Sequence, residues 1–320
     1  MTFVRIGGVA HHVVVEGSGP VCVLSAGLGL SWFDWDPVVP LLTPYRTVVR
    51  FDRPGHGLSA PAVAPPTAAG EANRIAAILD AVDGLGALDG LGALDGLGGL
   101  GGLGHEEHGG HQRPEGHQRH QKSHQGFRGR PVTVVGHSIA GFHAEAFARL
   151  HPDRTAALVL VDSSVEEHPH PPVLGAAGAG VLGTVLSAAG LPAALGPALR
   201  RAAVRSDRAA VRRDPAPAEL VRRVYRTSRV LRGTLLENAH YGAVAAELLD
   251  LRDRSPLRPG LPVTVLAAPD GSARWERRQR TLARRLGARY EAAEPSGHLV
   301  MLDRPDAVAD AVLRSGRSAG

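Results

Sequence analysis

Two residue types in this chain, a serine between a strand and a helix and a histidine close to the C-terminus, are placed to do nucleophilic chemistry together. Residues 132–141 read Val-Thr-Val-Val-Gly-His-Ser-Ile-Ala-Gly. The apolar run 132–135, rich in β-branched side chains, predicts a buried strand, and residues 140–147 predict a helix. A serine at that junction has the geometry of a nucleophile elbow: its hydroxyl stands clear of the sheet, and the following N–H groups face whatever the oxygen attacks. Gly136 and Ala140 suit so tight a turn, although the strict pattern has glycine where Ala140 stands. The competing reading of Ser138 is a polar N-cap in an ordinary strand-to-helix turn. An attacking serine needs a base for its proton, an acid to hold that base in one tautomer, and donors for the oxyanion. The ends of the predicted strands offer Gly27-Leu28-Gly29, the loop 52–57, Asp162, Asp270 and Gly297-His298. The order Ser138, Asp270, His298 is nucleophile, acid, base, with Asp162 as an alternative acid.

The elements that must position these residues follow from periodicity. Short strands are predicted over 4–6 and 10–16, joined by Gly7-Gly8 as a hairpin. Further apolar strands are expected over 21–25, 47–51, 157–161, 263–266 and 288–291. Helices are expected over 32–42, 71–82, 272–286 and 304–313. Strands alternating with helices after an antiparallel start predict an α/β fold with a mostly parallel central sheet flanked by helices. Residues 163–251 are alanine- and arginine-rich helical segments broken by prolines, too long for a simple crossover, and predict a helical cap inserted over the sheet. Residues 84–129 begin with a decaying Asp-Gly-Leu-Gly-Ala-Leu repeat and pass into a His/Gln/Gly-rich tract. That composition has no periodic apolar face and predicts a disordered surface insertion. The expected organisation is therefore core over 1–83, insertion over 84–129, core with the elbow over 130–162, cap over 163–251, core over 252–314 and a flexible tail over 315–320.

Composition excludes several function classes. The chain of 320 residues carries a formal net charge of +5, with an isoelectric point near 10.1. Its arginines are scattered over helical stretches, and aromatics make up only 4%. No basic stripe interleaved with aromatics forms, so a nucleic-acid partner is not expected. The single cysteine, Cys22, lies in an apolar run and reads as a buried structural thiol. No signal-peptide pattern or run of membrane-span length occurs, so a soluble cytoplasmic protein with no membrane partner is expected. The histidines at 105, 108, 111, 117, 120 and 124 have no scaffold that fixes a geometry, so no specific metal site is assigned. Gly27-Leu28-Gly29 lacks the third glycine of a dinucleotide fingerprint, Trp32 standing there, and no cofactor is expected.

Five motifs in order at strand ends resemble the α/β-hydrolase-fold enzymes with a helical cap. They are Ala26-Gly27-Leu28-Gly29, Asp52-Arg53-Pro54-Gly55-His56-Gly57-Leu58-Ser59, Gly136-His137-Ser138-Ile139-Ala140-Gly141, Asp270, and Ser296-Gly297-His298. The resemblance covers nearly the whole chain outside the insertion, with the cap matching only in position and helical character. It implies Ser138 as nucleophile, His298 as base and Asp270 as acid, since Asp270 follows the strand where this family usually keeps its acid. It also implies the backbone N–H groups of Leu28 and Ile139 as oxyanion donors, although the family often has His-Gly where this chain has Ala26-Gly27. Gly27, Trp32 and His137 are pocket candidates, and Asp52 and His56 are expected to shape the Gly-Pro loop. The implied activity is hydrolysis of an ester-like acyl bond of a small apolar substrate. Carbon–carbon hydrolysis, perhydrolysis and acyl transfer use the same triad. A ligand-binding receptor of the same fold is a further alternative, as is an interaction role for the insertion. Oligomeric state is not readable.

Overall fold

The computed structural model describes residues 2–89, 129–169, 176–206, 214–269 and 272–315. The chain opens with strands β1 (Thr2–Ile6), β2 (Val9–Gly17), β3 (Val21–Ser25) and β4 (Thr47–Phe51), the last two separated by a 3-10 turn (Trp32–Trp35) and helix α1 (Val39–Leu42). Helix α2 (Ala68–Asp89) precedes β5 (Val132–His137), helix α3 (Ala140–Leu150) and β6 (Thr155–Val161). Four helices follow: α4 (Ala176–Ala188), α5 (Leu191–Ser206), α6 (Ala218–Tyr225) and α7 (Ser228–Arg254). The described chain closes with β7 (Val263–Ala267), α8 (Ala273–Leu286), β8 (Arg289–Ala292), α9 (Val300–Asp303) and α10 (Pro305–Ser315).

The eight strands form one sheet in the order β1-β2-β4-β3-β5-β6-β7-β8. Pairs β1/β2 and β2/β4 are antiparallel, and every other neighbouring pair is parallel. This is the expected α/β architecture. Strands β3, β4, β5 and β7 are buried at every position and mostly apolar, because side chains alternate between two covered faces. Val21 and Val23 of β3, Val132 and Val134 of β5, and Leu158 and Leu160 of β6 enter one core with Ile75, Ile78 and Leu79 of α2 and Phe142 and Phe147 of α3. Cys22, Leu24, Val135, Val159 and Val161 point the other way, into a second core with Val39 and Leu42 of α1 and Val308 and Val312 of α10. Cys22 is fully buried, and burial pushes its thiol up to about 12, which leaves it unreactive.

Two elements depart from expectation. Residues 32–42 do not form one helix: a 3-10 turn and a short α-helix are separated at Asp36-Pro37. Pro37 lacks the N–H a continuous helix would need there. Helix α2 runs past Gly84 to Asp89, into the stretch assigned to the insertion. Once a helix is nucleated, adding residues is cheap, and this outweighs the modest penalty of a few glycines. Residues 90–128, including the six histidines, lie outside the described residues. No single helix among the described residues is long and apolar enough to cross a membrane.

Candidate active site

Ser138 occupies the turn between β5 and α3 with a φ of 54°, a left-handed conformation that is costly for a non-glycine residue and is held only where its surroundings impose it. Those surroundings are backbone. Ser138 N donates to Val161 O at 3.2 Å, and Ser138 O accepts from Gly141 N at 2.9 Å and from Ser164 N at 3.0 Å. A Cβ on Gly136 would lie 2.3 Å from Ala140 O, so strand and helix approach as closely with Ala140 in place as the turn requires. Gly136 is the position that cannot carry a side chain.

The histidine loop lies beside this turn. His298 Nδ1 donates to Asp162 Oδ2 at 2.6 Å. Asp162 is buried at the end of β6, and its other oxygen, Oδ1, accepts from Ala268 N at 2.9 Å and from Trp275 Nε1 at 2.8 Å. Three donors therefore converge on one carboxylate and fix its orientation. With Nδ1 carrying the proton, Nε2 is the basic nitrogen of the His298 ring. The structure thus brings the alternative acid, Asp162, onto His298, while Asp270 lies outside the described residues. The φ of Asp162 is also positive, 38°. Trp275, in the first turn of α8, has no counterpart in the sequence reading. The available signal was its position just after the strand end that precedes α8.

The Ala26–Gly29 loop, expected to supply an oxyanion donor, abuts the serine: a Cβ on Gly27 would lie 3.0 Å from Ser138 Cβ and 2.7 Å from His137 Nδ1. Glycine at 27 is what permits this approach. Among the described residues, neither Leu28 N nor Ile139 N donates to a protein acceptor, so both remain available to a ligand. Arg53 holds the loop from behind. Its Nη2 donates to Gly27 O at 2.9 Å and its Nη1 donates to Ala26 O. Arg53 is fixed in turn by Glu237 of α7, Nε to Oε1 at 2.8 Å and Nη2 to Oε2 at 2.9 Å. Burial alone would raise the Glu237 carboxyl, but Arg53 and then His56 outweigh it and hold the group far below the usual range. Two more ties join helices α5 and α6 to the loops at the strand ends: Tyr225 donates from its hydroxyl to Gly29 O at 2.8 Å, and Arg200 pairs with Asp34.

The remaining expected residues fall into place around these. His137 is buried at the end of β5, and its Nε2–H donates to His298 O at 2.9 Å. Burial, followed by the neighbouring His298, pushes the His137 imidazole well below its ordinary value, so it stays neutral and carries the histidine loop. Asp52 shapes its loop, accepting from Trp32 N at 3.0 Å, Leu58 N at 2.9 Å and His12 Nδ1 at 3.0 Å. His56 Nε2 lies 3.2 Å from Glu237 Oε2. Trp32 is buried edge-on against His12 and Phe33, and neither it nor Gly27 lines the cavity over Ser138.

A cavity of about 550 Å³ opens over the serine. Leu28, His137, Ser138 and His298 form its floor, and Leu186, Leu191, Leu195, Leu199 and Ala203 of α4 and α5 form much of its apolar wall. Its size and lining suit a small organic ligand. Among the described residues, no cluster of three or more histidine, cysteine or acidic side chains could hold a metal ion.

Comparison with known proteins follows the same lines. The family model described as the alpha/beta hydrolase family matches residues 22–311. No curated protein sequence matches the chain. Among solved structures, a thermophilic esterase from Thermogutta terrifontis superposes with a TM-score of 0.65 at 19% identity, covering 100% of this chain and 99% of that one. The enol-lactonase from Burkholderia xenovorans LB400 gives 0.61 at 19% identity, covering 98% and 99%. An alpha/beta hydrolase fold protein from Burkholderia ambifaria gives 0.64 at 19% identity, covering 98% and 97%. At such identities these likenesses concern the fold.

Proposed function

We propose, from the premise that the chain belongs to the alpha/beta hydrolase family, that it is a serine hydrolase acting on an ester-like acyl bond of a small apolar substrate, with Ser138, His298 and Asp162 as its triad. The observation that carries the reading is a serine held at φ 54° on the floor of a cavity it shares with His298, whose Nδ1 is bonded to a buried carboxylate. Asp162 supports the role of acid because it already accepts His298 Nδ1–H. Asp270 keeps the role that family resemblance suggests only if Asp162 proves dispensable.

In the proposed reaction His298 Nε2 takes the Ser138 hydroxyl proton as Oγ attacks the carbonyl carbon. Asp162 steadies the imidazolium, and Leu28 N–H and Ile139 N–H hold the oxyanion. His298 then gives its proton to the leaving alcohol as the intermediate collapses to an acyl-enzyme. Water, deprotonated by the same nitrogen, releases the acid and restores the serine. The leucine and alanine wall suits an apolar acyl or alcohol group. The esterase and enol-lactonase above share the fold and lend analogy for carboxylic ester chemistry. The test is turnover of p-nitrophenyl acetate and butyrate by wild type and Ser138→Ala. The variant is expected to retain the fold and lose turnover by at least ~10³-fold, and a folded variant with undiminished turnover would overturn the assignment.

A further inference from the structure

Helices α4 and α5 form a bent pair at 105° whose outer face is unlike the rest of the surface. Between Ala176 and Ser206 no aspartate or glutamate occurs. Val181 is 65%, Val185 58% and Leu199 64% exposed, with Leu182 and Leu195 also open. These residues recur at helical spacing, with Ala177, Val181 and Val185 along one stripe of α4 and Leu195, Leu199 and Ala202 along one of α5. A soluble monomer's exposed apolar residues are ordinarily scattered, and a continuous apolar face marks a contact surface. Elsewhere this chain covers its surface helices with charge, as α8 does with Arg277, Arg278 and Arg280.

Two observations identify the occupant. The rim is cationic: Arg205 ends α5, Arg222 and Arg223 stand exposed on the last turn of α6, and Arg226 Nε, just beyond, donates to Ala193 O at 3.1 Å. The face is also continuous with the cavity, because Leu195 and Leu199 line it from within and are open to solvent outside. Apolar helices framed by arginine lie in the interface of an anionic bilayer. We propose that the α4–α5 face docks on an anionic lipid surface, so that apolar acyl esters pass from that surface into the cavity beneath. The delivery clause rests on the ester-hydrolase reading, and the docking does not. The sequence expectation of no membrane partner rested on the lack of a spanning segment, which says nothing of a face that lies on a membrane.

The test separates the two. Ser138→Ala protein, with or without Val181→Asp and Val185→Asp, is floated with vesicles of phosphatidylcholine alone or of equimolar phosphatidylcholine and phosphatidylglycerol. Protein without the two aspartates is expected to float with the anionic vesicles, more weakly as salt rises. The aspartates are expected to cost at least about tenfold in vesicle affinity. In a Ser138 background they should leave p-nitrophenyl acetate turnover unchanged, since neither valine lines the cavity. Equal flotation with and without the aspartates, or no flotation, overturns the proposal. So does a dimer in sedimentation that the aspartates dissociate, which would make this face a contact between copies. Loss of esterase activity in Ser138→Ala bears only on the ester-hydrolase reading.

Discussion

Replacing Arg53 by methionine is expected to separate two roles that the proposed mechanism gives to one side chain. Arg53 and Glu237 are both buried and bonded at 2.8 and 2.9 Å. Removing one member of such a pair strands the other's charge, and costs about 3–5 kcal/mol. Arg53→Met is therefore expected to lower the urea midpoint strongly. Arg53→Met combined with Glu237→Leu removes both charges and is expected to recover all but about 1–2 kcal/mol, the carbonyls of Ala26 and Gly27 having lost their donors. Turnover should not recover with it. A trans peptide holds its C=O and N–H on opposite sides, so Arg53 on Gly27 O turns Leu28 N–H away from itself. Without that hold the oxyanion donor wanders, and kcat is expected to fall about ten- to a hundredfold, short of the ~10²–10³ for deleting a donor outright. KM should change little, because Arg53 does not line the cavity. Urea unfolding and ester kinetics on both variants make the measurement. A double variant with restored stability and wild-type kcat would refute the reasoning and leave Arg53 a structural tie alone.

Three further outcomes are expected. Gly136→Ala places a Cβ 2.3 Å from Ala140 O, backbone that cannot yield, so the elbow should open and esterase activity should be lost even in protein that retains its circular dichroism. Asp162→Asn leaves His298 Nδ1 facing an amide that no longer fixes the tautomer, and kcat should fall by ~10³–10⁴, whereas Asp270→Asn should cost less than about tenfold; the reverse ranking would return the acid to Asp270. His143 is buried without a partner for either ring nitrogen among the described residues, and burial lowers its pKa from 6.5 to about 4. The unfolded chain therefore binds the proton first as pH falls from 6.5 towards 4, and stability declines over that window by up to roughly 3 kcal/mol. His143→Leu should flatten that limb in urea titrations at graded pH, and an unchanged slope would discount the buried imidazole.

What the sequence made legible was local. The runs Val21–Ser25 and Thr47–Phe51 are buried throughout because both sheet faces are covered, they are mostly apolar, with Ser25, Thr47 and Arg50 the exceptions, and their ends fall where composition changes. The Gly136 to Gly141 turn was readable because only small residues fit between crossing backbones. What was not legible depends on distant partners. Arg53 meets Glu237 across a separation of 184 residues, and neither residue's neighbours announce the other. Whether His298 reaches Asp162 or Asp270 depends on how the loop after β8 lies across two adjacent strand ends, which strand-end position alone leaves undecided. The exposure of Val181 and Val185 was hidden for a related reason. An alanine- and valine-rich helix has the same pattern whether a core covers it or not.

The most direct test of the central claim is covalent. Incubation with an activated p-nitrophenyl phosphonate, digestion and tandem mass spectrometry should locate one adduct on the peptide containing Ser138, with none on Ser138→Ala and slowed labelling in His298→Ala. An enzyme that turns over esters yet forms no adduct, or carries it on another residue, would contradict Ser138 as the nucleophile.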